Sequence, residues 1–360
     1  MINLNRRTCI SLAIGLIFSA VALYFTFVNI PIRELVEYLK DINYWWVVPS
    51  LIVAFLSYVL RAVRWQIILL PVKKTGFWNS FHPVMIGFML SSVFPGRVGE
   101  IARPAIFYKR EGVEFPKVLA TAGIDRIFDA VALLAIFIYI LATVNIDPSL
   151  DIVFGNYHLT PALLDGIWKA ALKFSAAIIG MIVLISFSTT RAMFNRIILK
   201  TPDALFFTGQ PFREKLRAGL CTRIAGLLDN LAVGFDILKN PFYLVVCLLL
   251  SFALWALLGF ALWLMTLGFP GVEISFLQAF AVEIIICFFI MLPSVPGYWG
   301  LWEAGGVFGL MIFGIPAKEA AGLTLSYHFF HLVPVIIAGI MSAVIVGVKL
   351  VNAVSPEAAD

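Results

Sequence analysis

Long apolar runs separated by short polar stretches make up most of the chain. A bilayer crossing needs ~20 apolar residues. Thr8–Val28, the run from Trp45 to about Leu70, Val118–Val144, Ile167–Phe187, Phe242–Leu267 and Ala320–Val348 meet that length. Two further runs, Phe77–Phe94 and Phe276–Pro293, stop at a polar break, and an apolar stretch resumes beyond it. The first break, Ser91–Arg103, reads Ser-Ser-Val-Phe-Pro-Gly-Arg-Val-Gly-Glu-Ile-Ala-Arg, and the second, Leu292–Glu303, reads Leu-Pro-Ser-Val-Pro-Gly-Tyr-Trp-Gly-Leu-Trp-Glu. Both contain Pro-Gly-x-x-Gly with a glutamate shortly after, so Pro95, Gly96 and Gly99 in one and Pro296, Gly297 and Gly300 in the other are expected hinges. Broken hydrophobic segments in corresponding halves of a chain are a sequence pointer to a transporter's binding site.

Charge on the flanks sets the expected topology. Lys73-Lys74 and Lys109-Arg110 lie on the two sides of Phe77–Phe94 and its break. A pair of half-helices that enters and leaves on the cytoplasmic side keeps both basic clusters inside. Asn145–Gly166 carries three aspartates and no Lys or Arg, which places it outside, whereas the strongly basic 188–240 belongs inside. Within that basic loop, Phe212–Leu238 mixes leucines and charges as an amphipathic helix on anionic lipid would. Arg6-Arg7 precede an apolar run longer than a signal-peptide core, so the first helix is expected to stay uncleaved. The expected fold is an all-α polytopic membrane protein, residues 1–360 as a single domain. About six full transmembrane helices and two opposed re-entrant hairpins form an inverted-repeat-like arrangement in the cytoplasmic membrane, with both termini cytoplasmic.

Composition narrows the class. The 360 residues are 61% hydrophobic and 13% charged, with mean hydropathy +0.98, against about 25% charge in soluble domains. No polar stretch is long enough for a separate catalytic head. The net charge of +5 fits basic cytoplasmic loops rather than a nucleic-acid partner. Cys9, Cys221, Cys247 and Cys287 are scattered, which suits small buried hydrophobes rather than disulfides or zinc.

The polar residues inside apolar runs are the candidate chemistry, because each is costly in hydrocarbon and needs a partner or a wet cavity. Arg97, Glu100 and Arg103 are spaced by three and would fan over one side of a helix. Two guanidiniums, a carboxylate and the free N–H groups of a helix start suit a phosphate beside a cation or hydroxyl. The alternative is a buried ion network that holds the hairpin together. Asp125, Arg126 and Asp129 share one helix face, as a gating or structural ion pair near the site, with Arg126 a candidate substrate contact. Arg61 and Arg64 are expected to snorkel to the phosphates. Glu303 is expected to hold a head group or carry a proton, and His328 to line the cavity. Glu283 is either a proton site or a neutral hydrogen-bonded acid. Glu303, His328 and His331 lack the further ligand a metal would need. No metal or cofactor is expected, and Trp299 and Trp302 read as interfacial anchors.

Pro95-x-Arg97-x-Gly99-Glu100-x-x-Arg103 resembles the first motif of the lysylphosphatidylglycerol synthase transmembrane region, also called the flippase-like family. Pro296-Gly297-x-x-Gly300-x-x-Glu303 is similar to its second, and Arg126 with Asp129 to a third, in the same order over nearly the whole chain. The family's second motif usually reads Pro-Gly-Gly-Leu-Gly, where this chain has Tyr298-Trp299. Tyr327-His328 stand where many members have an arginine. Members that make the aminoacylated lipid carry an extra soluble transferase domain. The resemblance therefore implies the lipid-translocating half alone, acting on an anionic, aminoacylated or glycosylated lipid, with a separate lipid-modifying synthase as a partner. Two other functions fit the same residues: an integral-membrane transferase acting on a polyprenyl-phosphate or phospholipid head group, and a non-transporting membrane partner of a synthase. No nucleotide-binding Gly-x-x-x-x-Gly-Lys-Ser/Thr is present.

Overall fold

The computed structural model describes residues 6–28, 30–94, 97–143, 240–292 and 295–348 continuously. It adds 152–154, 157–159, 188–204, 209–222, 224–226 and isolated residues between 166 and 180. Helix α1 (Arg6–Phe27) turns through 80° into the short α2 (Ile32–Lys40). Leu35 and Tyr38 of α2 are buried and its Arg33 and Glu37 are exposed, so α2 lies on the body as an amphipathic strap. The Tyr38 hydroxyl ties it down by donating to the Pro270 carbonyl at 2.9 Å.

A four-helix unit follows, and then recurs. The first is α3 (Val47–Ile68), α4 (Phe77–Val93), α5 (Gly99–Glu111) and α6 (Phe115–Thr143). Between the units lie the short β1 (Ile152–Phe154) and β2 (Tyr157–Leu159), then α7 (Ser188–Ala204) and α8 (Gln210–Leu216) in the basic region. The second unit is α9 (Pro241–Thr266), α10 (Phe276–Ile290), α11 (Leu301–Ile312) and α12 (Ala317–Val346). Each unit runs long helix, two short helices across a break, long helix. The packing repeats as well: α3 lies along its counterpart α9, α4 on α5 matches α10 on α11, and α4 against α12 matches α10 against α6. Exchanging the two units maps these contacts onto one another.

Local sequence explains the element ends. Asn240 and Pro241 start α9, with the Asn240 side chain accepting from the Phe242 N–H. Ser275 and Gln278 form a reciprocal capping box for α10. Pro83 sits in the second turn of α4, and the helix continues through it. Among the described residues, three helical segments are long and apolar enough to cross a membrane: Tyr44–Ile68, Pro241–Thr266 and Ala317–Val346. Counting the bent α1–α2 pair as one span makes four. The chain is thus an essentially all-α membrane protein.

One expectation is corrected here. Part of Asn145–Gly166, expected as plain loop, forms the antiparallel β1–β2 hairpin, with Phe154 opposite Tyr157. Its β-branched and aromatic residues flank Gly155-Asn156, a two-residue turn sequence. The hinge residues Pro95 and Gly96, most of the expected span Ile167–Phe187 and the 227–239 part of the basic loop lie outside the described residues.

Candidate functional site

Two polar clusters occupy the apolar body, one centred on each unit, and the breaks beside them meet. The first is an ion network between α3, α5 and α6. Arg64 reaches Asp125 Oδ1 through Nη2 and Asp129 Oδ1 through Nη1, both at 2.8 Å. Its Nη1 also donates to Ser251 Oγ on α9 at 2.6 Å. Arg61 Nη1 lies 3.0 Å from Asp129 Oδ2, and Arg103 Nη1 lies 2.9 Å from Asp125 Oδ2. Arg126 bridges outward, 3.1 Å from Asp129 Oδ2 and 3.1 Å from Glu100 Oε2. Aromatic faces pack on these cations: Trp65 on Arg103 at 4.1 Å, Trp255 on Arg61 at 5.1 Å, and Phe88 beside both Arg61 and Arg126. A guanidinium on an aromatic face is attracted by the ring quadrupole, more strongly once water is excluded.

This corrects the expectation for Arg61 and Arg64. They are buried, and they neutralise two aspartates from another run instead of snorkelling to the surface. Burying a charge without a partner is far more costly than stretching a side chain, so the paired arrangement wins. A sequence signal for it existed. Arginines three apart in one apolar run and aspartates four apart in another both lay on one helix face and lacked other partners.

The first break is built by close backbone approach. A Cβ on Gly99 would sit 1.7 Å from the Gly87 carbonyl oxygen, so α4 and α5 cross with backbone against backbone. Arg97 is not on the helix with Glu100 and Arg103, as the three-residue spacing suggested. It precedes α5 with φ +53, and its Nη2 donates to the Ile290 carbonyl at the end of α10, at 2.6 Å. Tyr298 occupies the corresponding third position of the second Pro-Gly-x-x-Gly and has φ +63. Among the described residues these two are the non-glycine residues with positive φ. They also meet, with the Arg97 guanidinium 5.9 Å from the Tyr298 ring centre. The breaks therefore share a strained backbone conformation at equivalent positions and contact each other through it.

The second cluster is centred on His328 of α12. Its Nδ1 is 2.6 Å from Glu303 Oε1 and its Nε2 is 2.7 Å from the Gly297 carbonyl. The Gly297 carbonyl can only accept, so Nε2 carries a hydrogen, and one hydrogen is shared between Nδ1 and Glu303 Oε1. Glu303 Oε2 accepts the Gly300 N–H at 2.7 Å and so caps its own helix α11. Trp302 stacks on the imidazole at 4.7 Å and Trp299 lies on it at 4.3 Å. The expected interfacial anchors instead sandwich His328. Glu303, expected to hold a head group, is fully buried with both oxygens engaged. Together with His328 it fixes the shape of the second break. Helix α1 closes this side: Ser19 Oγ accepts the Val295 N–H at 3.2 Å, and a Cβ on Gly300 would stand 2.5 Å from the Ser19 carbonyl oxygen. Glu283 is buried on α10 and meets the Tyr327 hydroxyl at 3.2 Å.

Among the candidates, Glu100 and Arg126 remain accessible, with side chains 39% and 37% exposed, and Arg97 is exposed beside the second break. Arg103 is buried behind them. The described residues contain no group of three or more His, Cys, Asp or Glu placed to hold a metal.

These features define a polytopic helical membrane protein with two broken helix pairs that meet at a charged site. Residues 12–339 match the family described as "Lysylphosphatidylglycerol synthase TM region", and the chain belongs to that family. It is also 25% identical over 130 residues to "Glycosyltransferase AglD" of Haloferax volcanii, a match that covers 35% of this chain and 20% of that protein. The chain thus matches about a fifth of that relative's length.

Proposed function

We propose that the protein is a flippase-like lipid translocase, which passes a phosphate-bearing head group across the membrane along Arg97, Glu100, Arg126 and Arg103 while the acyl chains stay in hydrocarbon. The observation that carries this reading is the partial exposure of Arg126, near the middle of α6, and of Glu100 beside it on α5. Arg126 lies about 16 Å from the start of a helix about 43 Å long, at 1.5 Å per residue. Ionisable side chains at that depth, open rather than sealed, mark substrate pathways.

The broken pairs support a re-entrant arrangement. Helices α4, α5, α10 and α11 have 17, 13, 15 and 12 residues. They span about 18–26 Å, less than the ~30 Å hydrocarbon core. Six full spans with two opposed hairpins place both termini and the basic 188–240 region at the cytoplasmic face. Cysteines introduced near Arg110 and Lys318 then label from opposite sides; labelling from one side rules out opposed hairpins. The exposed aliphatic and aromatic residues of α1, α9 and α12, such as Tyr24, Leu249 and Val344, form the lipid-facing surface.

Translocation is tested by reconstitution into liposomes with labelled anionic and aminoacylated phospholipids. Protein-bearing vesicles should move a labelled lipid between leaflets faster than empty ones and leave its mass unchanged. Rates equal to empty vesicles across the lipid set contradict the translocase. A changed lipid mass on adding a sugar or aminoacyl donor would instead make it a transferase; glycosyl transfer is the activity named for the Haloferax relative.

A further inference from the structure

Helix α7 leaves an apolar face uncovered. Met193, Arg196, Ile197 and Lys200 recur at three- and four-residue spacing, so they form one stripe along the helix. All four are exposed, Met193 by 52% and Ile197 by 53%. Phe194, Ile198 and Leu199 lie off the stripe and are half-buried, so α7 packs by another side. The Gln210–Cys221 segment pairs with it: Arg217 Nε donates to the Leu199 carbonyl at 3.2 Å, and Arg217 Nη2 pairs with Asp203. That segment also leaves Phe212 and Leu220 more than half exposed.

The charge around this face is one-sided. Residues 188–226 carry seven Lys or Arg and two Asp or Glu, a surplus equal to the net +5 of the whole chain. Asp203 is occupied by Arg217, whereas Arg196, Lys200 and Lys215 have no carboxylate partner among the described residues. The stripe thus makes two demands side by side, hydrocarbon for Met193 and Ile197 and an anion for Arg196 and Lys200. The boundary of an anionic leaflet meets both within one layer, because long basic side chains reach up to the head groups while apolar ones sink below them. A nucleic acid offers phosphates but little cover for the aliphatic side chains, and protein interfaces select against lysine. Helix α9, which starts at Pro241 and is long and apolar enough to cross the bilayer, keeps the segment within reach of that leaflet.

We propose that α7 lies flat in the head-group layer of an anionic leaflet, with Met193 and Ile197 inserted and Arg196 and Lys200 on lipid phosphates. The contact sits upstream of Phe212–Leu238, the stretch whose composition suggested such a helix, and it is independent of lipid translocation. A helix buried by one stripe lies along the surface, and α7, with basic residues inside that stripe, binds phosphatidylglycerol-rich lipid better than a neutral one.

The test uses the full chain in lipid nanodiscs of phosphatidylcholine with or without phosphatidylglycerol. Ile197→Cys, in a chain whose four native cysteines are changed to serine, carries an environment-sensitive fluorophore. With phosphatidylglycerol the label should shift to the blue, be quenched by nitroxides on the acyl chains and lose about threefold of its quenching by aqueous iodide. High salt, which screens the charges, should restore most of the iodide quenching. Arg196→Gln combined with Lys200→Gln should do the same with the melting temperature unchanged. Amide hydrogen exchange of residues 193–200 in the unsubstituted chain needs no label and should slow by about threefold in discs that contain phosphatidylglycerol. A label open to iodide in both discs, with equal exchange, overturns the proposal and leaves the face to a soluble partner. A label shielded from iodide yet untouched by nitroxide lipid is covered by protein, which overturns it too. Equal insertion in both discs overturns the choice of an anionic leaflet.

Discussion

Asp125 is the residue on which the first cluster closes. It is fully buried and receives Arg64 and Arg103 on its two oxygens. Asp125→Ala leaves Arg103 without its ion-pair partner and Arg64 with Asp129 alone, and breaking a buried pair from one side costs about 3–5 kcal/mol. We expect a loss of that size by chemical unfolding in detergent; a loss under about 1 kcal/mol contradicts a closed network. At this scale the sequence was only partly legible. The acid and base types of the first cluster were all visible, and Arg126 and Asp129, three apart in the sequence, lie 3.1 Å apart. Who pairs with whom was hidden, because Arg61 and Asp129 are 68 residues apart and His328 and Glu303 are 25 apart. Periodicity within one helix carries no information about a partner helix. The same limit hid the Trp299–His328–Trp302 stack and the positive φ of Arg97.

At the scale of elements, the breaks depend on backbone contact that only glycine allows. Gly99→Ala places a methyl group inside the Gly87 carbonyl and must push α4 and α5 apart, whereas a Cβ on Gly76 would meet nothing within 4 Å. Overpacking of this kind costs about 1–3 kcal/mol and sometimes more. Gly99→Ala should therefore lower the melting temperature by many degrees, and Gly76→Ala should barely change it. Equal shifts in the two variants would contradict the crossing. Here the sequence was highly legible. Pro-Gly-x-x-Gly marks both breaks, the flanking apolar lengths give the short arms, and among the described residues the bounds of α3, α4, α6, α9, α10 and α12 fall within a few residues of the apolar runs. The β1–β2 hairpin escaped because six strand residues are too few to stand out against polar flanks.

At the scale of the whole molecule, two units with the same order of helices pack so that their breaks meet, and Arg97 links the two breaks. One of its nitrogens holds the Ile290 carbonyl across the junction while the side chain stays exposed. A head group that passes between the units must displace or engage this arginine. The most direct measurement is the lipid transfer rate in proteoliposomes bearing wild type or Arg97→Ala, with folding checked by melting temperature. Translocation through the junction requires wild-type vesicles to exceed empty ones and Arg97→Ala to fall at least tenfold while it stays folded. A folded Arg97→Ala protein that moves lipid at the wild-type rate would contradict a pathway between the two breaks.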